Sequence, residues 1–213
     1  MATQNKIINP AVPNLPLGTD EYERRYQDQF TNVLRLYFNQ LRNALNELFS
    51  AAGGKYISFP YGAFSSDQDQ TAVANTATLM TLNTTDFANS VSIVNSKITV
   101  VNLGIYNLQF SAQFQNTDTA FQDVYIWLRQ NGVDITGSTG FISVPNRHAG
   151  TDGHAIIGWN YFLNMAANDY IEIYWSTSNT AVTIQHLPAS GTPTKPSTQS
   201  VVATLSFVST LAT

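Results

Sequence analysis

The sequence predicts a mainly β chain, in which an extended arm and one amphipathic helix precede an antiparallel β-sandwich. Three observations predict it. Prolines recur at every third residue before position 18, apolar residues recur at helical spacing as far as position 48, and from Tyr56 onward short β-rich runs alternate with turn residues. The composition shifts at the same place, since nine of the thirty residues from 20 to 49 are charged against fourteen of the 163 from 51 onward. These signals divide the chain into an arm at 1–18, a helix at 19–54 and a head at 55–213.

In the arm, Pro10, Pro13 and Pro16 each lack a backbone donor and bias the preceding residue to extended geometry, which predicts a polyproline II strap. Such a strap buries too little to fold alone. It is either a disordered tail or a peptide that docks onto a larger partner; in the second case Pro10, Pro13 and Pro16, with Tyr22 and Tyr26, are the anchoring residues.

The helix has a cap in Thr19 or Asp20, with Glu23 at capping-box spacing from Asp20, and Gly53-Gly54 offers a left-handed stop. Phe30, Leu34, Tyr37, Leu41, Ala44 and Leu48 form one heptad seam, and Leu34, Phe38, Leu41, Leu45 and Leu48 an overlapping one. The stripe is wide enough to predict a bundle of identical helices. Its expected trimer interface is Phe30, Leu34, Tyr37, Phe38, Leu41, Leu45 and Leu48.

In the head the strand candidates are "KYISFPY", "TATLMTL", "VSIV", "KITVV", "GIYNLQFSAQF", "DVYIWLRQ", "GHAIIGWNYFLNM", "DYIEIYWST", "AVTIQHL" and "SVVATLSFV". Asn131-Gly132 is a two-residue hairpin signal between "DVYIWLRQ" and "VDIT". Closely spaced strands with no intervening helix predict a sandwich, of jelly-roll type. The Pro-, Thr- and Ser-rich stretch 188–199 leads into the last strand.

Composition narrows function. Only 11% of the chain is charged, against roughly 25% on average, while 43% is hydrophobic. Asn, Gln, Thr and Ser fill the deficit, giving a surface that is wettable yet easily buried against protein. A net charge of -4 with no basic run argues against nucleic acid as a partner. There is no cysteine, hence no disulfide or thiolate metal site. No apolar stretch has the length of a secretory signal or a membrane span, so no membrane partner is expected.

Residues 104–207 resemble the trimeric heads of the tumour necrosis factor and complement one-q superfamily. The resemblance rests on Gly104-Ile105-Tyr106-Asn107-Leu108, the Asn131-Gly132 turn and "FLNMAANDYIEIYW", where Asn168 stands in place of that family's usual Gly. The combination of "EYERRYQDQF", "LRLYFNQLRNAL" and the stretch from "DYIEIYWST" to "VVATLSFV" is also similar to small structural proteins of marine and freshwater bacteriophages. These resemblances imply a homotrimeric virion protein assembled in the host bacterial cytoplasm, a tail-fibre, head-fibre or capsid-decoration component; the short chain and the proline-spaced arm favour capsid decoration or a head fibre. Its arm would bind the major capsid protein or another virion protein. The alternative they leave open is a tail-fibre or adhesin role, with a host surface glycan as partner.

Few residues suggest chemistry. His148, Asp152 and His154 share a Gly-containing loop that could hold a metal or act in acid-base catalysis, but a loose surface loop is the simpler expectation. With Asn146 and Arg147 these residues form a candidate outward contact loop. His186 is expected to pack, and Asp67 and Asp69 to lie in a surface turn rather than a calcium loop. Asp118, Asp123, Asp134, Asp152, Asp169 and Glu172 offer no evident catalytic pair. No catalytic residue, metal or cofactor is therefore assigned. Tyr125, Trp127, Trp159, Tyr161, Tyr174 and Trp175 are expected in the core or an interface, with a sugar-stacking platform as the other reading.

Overall fold

The computed structural model describes residues 10–18, 20–49 and 58–210. The chain divides between Ser58 and Phe59 into two compact units. The first contains helix α1, Arg24–Leu48. Its N-cap is Glu23, in extended conformation and without a side-chain capping bond, whose carbonyl accepts the Gln27 N–H at 3.1 Å. The Asp20–Glu23 capping box does not form.

The reason lies in the arm. A cleft of about 240 Å³ separates Ala11, Val12 and Pro13 from Val33, Leu36, Tyr37 and Gln40, while Gly18 lies beside the Tyr26 hydroxyl. The arm thus runs back along the helix, and Asp20 lies in a bend ahead of it, while Thr19 is outside the described residues. Pro10, Pro13 and Pro16 are the half-buried residues of 10–18 and the rest are exposed, the one-in-three pattern expected of a strap with one face turned in. At the other end Phe49 caps the helix, its N–H reaching the Leu45 carbonyl at 2.9 Å. Gly53-Gly54 lies outside the described residues.

No residue of α1 is buried. Tyr26, Phe30, Val33, Leu34, Tyr37, Leu41, Ala44 and Leu48 are half-buried, following the first heptad seam, whereas Phe38 and Leu45 on the second are exposed. At 100° per residue, Val33, Leu36 and Gln40 form the flank beside the arm, and Leu34, Phe38, Leu41 and Leu45 the opposite flank.

Among its described residues the second unit holds sixteen strands: β1 Tyr61–Ser66, β2 Gln70–Thr71, β3 Thr78–Leu79, β4 Thr84–Asn89, β5 Val91–Val94, β6 Lys97–Val100, β7 Gly104–Asn116, β8 Gln122–Gln130, β9 Val133–Asp134, β10 Gly140–Val144, β11 Gly153–Met165, β12 Tyr170–Thr177, β13 Val182–Ile184, β14 Ser190–Gly191, β15 Thr194–Lys195 and β16 Val201–Ser209. All pairings are antiparallel. The first sheet runs β4-β1-β16-β7, with β11 on the other edge of β7 and β13 extending the β16 side toward β2. The second runs β5-β6-β12-β8-β10, with β3 and β9 attached to β12 and β8.

Among the eight longer or central strands β1, β6, β7, β8, β10, β11, β12 and β16, the pairing is nested. The first pairs with the last, the second with the seventh, the third with the sixth and the fourth with the fifth. Between the sheets lies one apolar core. Phe64, Leu108, Phe114 and Leu205 come from the first sheet and Ile126, Leu128, Ile173 and Trp175 from the second, all essentially inaccessible to solvent. The head is a mainly β, antiparallel sandwich.

Most strands fall where alternation predicts them, and β11 has the expected limits. Several elements differ. The first strand lies at Tyr61–Ser66 rather than across "KYISFPY", of which residues 55–57 are outside the described set. Only Thr78–Leu79 of "TATLMTL" is strand. β4 and β10 appear in stretches with no expected strand. The Asn131-Gly132 hairpin forms, with φ of 51° and 81° and the Gln130–Val133 pair across it. Asn168, standing where the resembled family has Gly, has φ 67°, a left-handed conformation that Asn tolerates better than most side chains.

Candidate functional site

The alternation that drives Val124, Ile126 and Leu128 of β8 into the core turns Tyr125, Trp127 and Arg129 to the outer face of the second sheet. On neighbouring strands Phe141 lies opposite Tyr125, and Tyr174 opposite Trp127. Ring centroids are 5.0 Å apart in the first pair and 5.9 Å in the second, the latter stacked at 30°. The Arg129 guanidinium sits 3.9 Å from the Tyr174 ring centroid, a cation-π contact.

The Asn131-Gly132 hairpin swings Asp134 back beside these rings. Its Oδ1 accepts both the Trp127 indole N–H and the Arg129 Nε–H at 2.8 Å. The Arg129 hydrogen bond, followed by that of Trp127, holds the Asp134 carboxyl below the usual carboxylate range. The result is a row of aromatic side chains whose positions are fixed by cross-strand packing and a charged hydrogen-bond pair. Trp159, Tyr161 and Trp175 instead pack on the core side of the sheets.

The outer face of the first sheet is different in kind. β1, β7, β11, β13 and β16 contain no Asp, Glu, Lys or Arg. That face presents Asn107, Gln109, Ser111 and Gln113 of β7 and Thr204 of β16, with Ile156 and Phe162 of β11 exposed at its margin. Beside it, an apolar cleft of about 300 Å³ opens between β10 and β11, lined by Ile126, Ile142, Ile157 and Trp159 among others.

The loop expected to be loose is tied down. Ala149 and Gly150 make a tight reversal with positive φ of 49° and 84°, closed by two His148–Thr151 backbone bonds of 2.9 Å. Arg147 donates its N–H to the Asp118 carbonyl at 2.7 Å and its Nε lies 3.3 Å from Asp152, which also accepts from Gln115. Asn146 donates to the Thr119 carbonyl. Gly153 is there for close approach, because a Cβ would collide with the Pro145 carbonyl oxygen. His148 and His154 are exposed, and among the described residues no three His, Asp or Glu side chains converge as a metal site.

Most of the remaining acids have structural partners. Asp118 binds Thr119, Ala120, Gln122 and Asn179; Asp123 accepts from Ser143; Glu172 is buried. Asp67 accepts from Asn83 and Asp69 from the His186 N–H. The His186 ring buries an Nδ1 that has no partner among the described residues, as a packed rather than a catalytic ring does.

Asp169 accepts from Asn131, Gln130 and the Ala166 N–H at 2.7, 2.9 and 2.8 Å, and these bonds, that of Asn131 foremost, lower its pKa. A carboxylate depressed in the folded state contributes stability above its unfolded pKa of about 3.9, and that contribution is lost as pH falls through the folded value. Asp169→Asn is therefore expected to lower the urea midpoint at pH 7 and to reduce the further loss seen on going to about pH 3. An unchanged pH dependence contradicts this.

On the helix, the expected trimer residues occupy one continuous stripe, and of the expected anchoring residues Tyr26 stacks on Phe30 at 6.1 Å while Tyr22 stands exposed. The sequence places Tyr125, Trp127 and Tyr174 in one set with Trp159, Tyr161 and Trp175 and leaves out Phe141 and the Arg129–Asp134 pair, although Asp123, Tyr125, Trp127 and Arg129 share one parity in the sequence and so one strand face. No protein-family model matches the chain, and no curated protein matches it.

Proposed function

We propose that this protein is a non-enzymatic, homotrimeric bacteriophage virion protein, a capsid decoration or head-fibre component with a jelly-roll head. The observation that carries the reading is the helix: twenty-five residues with a continuous apolar stripe and none of them buried. Its arm covers one flank of that stripe, and two further copies are the economical cover for the other. The nested pairing of the eight principal strands supports the jelly-roll assignment. The outer face that β7, β11, β13 and β16 present, strands without a charged residue, supports association of heads, because interface cores are depleted in charge.

The arm is the segment that attaches the trimer to the major capsid protein or another virion protein; since Pro10, Pro13, Pro16 and Tyr26 are half-buried, the contact runs through the exposed Val12, Leu17 and Tyr22 beside them. The test is deletion of residues 1–18. The expected variant remains a trimer but is absent from purified particles; incorporation at the level of the full chain contradicts the anchoring role. A tail-fibre or adhesin role is favoured instead only by the aromatic row on the second sheet.

A further inference from the structure

The geometry points to the outer face of β8, β10 and β12 as a binding platform for a neutral pyranose chain, with Trp127 at its centre. Recognition of a sugar needs two things together: a flat ring that covers the apolar C–H face of the pyranose, and fixed polar atoms at the ring's edge for its hydroxyls. Both are present. Tyr125–Phe141 and Trp127–Tyr174 are two cross-strand ring pairs, two residues apart along β8 on one face, with Tyr125 and Phe141 substantially exposed and Trp127 and Tyr174 half-buried.

The polar complement is Asp134 and Arg129. Both donors that reach Asp134 bind Oδ1, so its Oδ2 accepts nothing from the described residues, and its side chain is 59% exposed. Arg129 uses Nε on Asp134 and carries its terminal N–H groups over Tyr174, at the edge of the row. A free acceptor and a set of guanidinium donors thus flank aromatic rings already held in position, so little ordering remains when a ligand arrives.

Charge selects the class. Arg129 and Asp134 neutralise one another, Lys97 rests 4.3 Å from the Tyr170 ring centroid, and Asp123 and Glu172 are the other acids on these strands. With no surplus of positive charge, an anionic polysaccharide gains nothing here, whereas a neutral hexose or N-acetylhexosamine chain meets no opposing field. The inference does not depend on whether three copies associate or on which part of a particle they occupy.

The test uses the full chain with its three tryptophans labelled at the indole nitrogen, titrated with cellohexaose, maltohexaose, chitohexaose and mannohexaose. At least one is expected to shift the Trp127 resonance and leave that of the buried Trp175 in place. Trp127→Ala is expected to weaken that binding about tenfold or more, and Trp127→Phe to retain most of it. Asp134→Asn, which keeps the rings, weakens it by a smaller factor. The proposal is overturned if none of the four sugars moves Trp127, or if Trp127→Ala binds as the parent does while Trp175 keeps its native resonance. It is equally overturned if Trp127→Ala changes the assembly mass, since the face then belongs between protein copies. Failure to bind sugar leaves that mass unaltered and so does not bear on the trimer.

Discussion

Trp175→Ala is expected to lower the stability of the head by about 3–5 kcal/mol, the range for removing a large aromatic from a close-packed core. Trp175 is wholly buried and meets Phe114 edge to face at 5.6 Å, in the layer where β7 and β12 confront each other. Its indole N–H finds no acceptor among the described residues. An unpaired buried donor costs about 1–3 kcal/mol, so Trp175→Phe, which keeps an aromatic ring against Phe114 and removes that donor, should stay within about 1 kcal/mol of the parent. Urea denaturation followed by far-ultraviolet circular dichroism measures both. Equal losses in the two variants contradict the assignment of the stabilising contact to the ring.

Leu41→Asp is expected to dissociate the proposed trimer at micromolar concentration. If about six large side chains per chain are buried on association at roughly 1.5–3 kcal/mol each, the stripe contributes on the order of 10 kcal/mol per subunit before the entropy of ordering is deducted. Leu41 lies on the seam shared by both heptads, so the substitution sets three carboxylates against one another in an apolar environment. Asn39 is on the opposite side of the helix and exposed. Asn39→Asp should therefore leave the mass unaltered in sedimentation equilibrium, and dissociation of both variants would point to general disruption of the helix instead.

How much was legible depended on whether local pattern or tertiary partner set the structure. β11 was readable because Ala155, Ile157, Trp159, Tyr161 and Leu163 alternate strictly with outward residues between two clear boundaries. β1 was not, because "YGAFSS" is built of small and polar residues that become strand only when β4 and β16 pair along its two edges. β4 failed for the opposite reason, being a mostly exposed edge with no apolar alternation. The capping box gave the wrong helix start since local propensity cannot anticipate that the arm folds back beside Val33 and Tyr37.

The same contrast holds for the surfaces. The stripe on the helix was written in the heptad spacing, but its division into an arm-covered flank and an open flank was not. The width of the stripe now has two causes, the arm along Val33, Leu36 and Gln40 and a surface through Leu34, Phe38, Leu41 and Leu45. The aromatic row needed the β8–β12 register, which pairs Trp127 with Tyr174 across a long stretch of sequence. Only the hairpin at Asn131-Gly132, a local signal, foretold that Asp134 would return beside Arg129.

Self-association through the helix is the central claim, and the mass of the purified full chain in solution tests it most directly. Multi-angle light scattering at micromolar concentration is expected to give three times 23.4 kDa. A stable species of 23.4 kDa, unchanged as the concentration is raised, contradicts it.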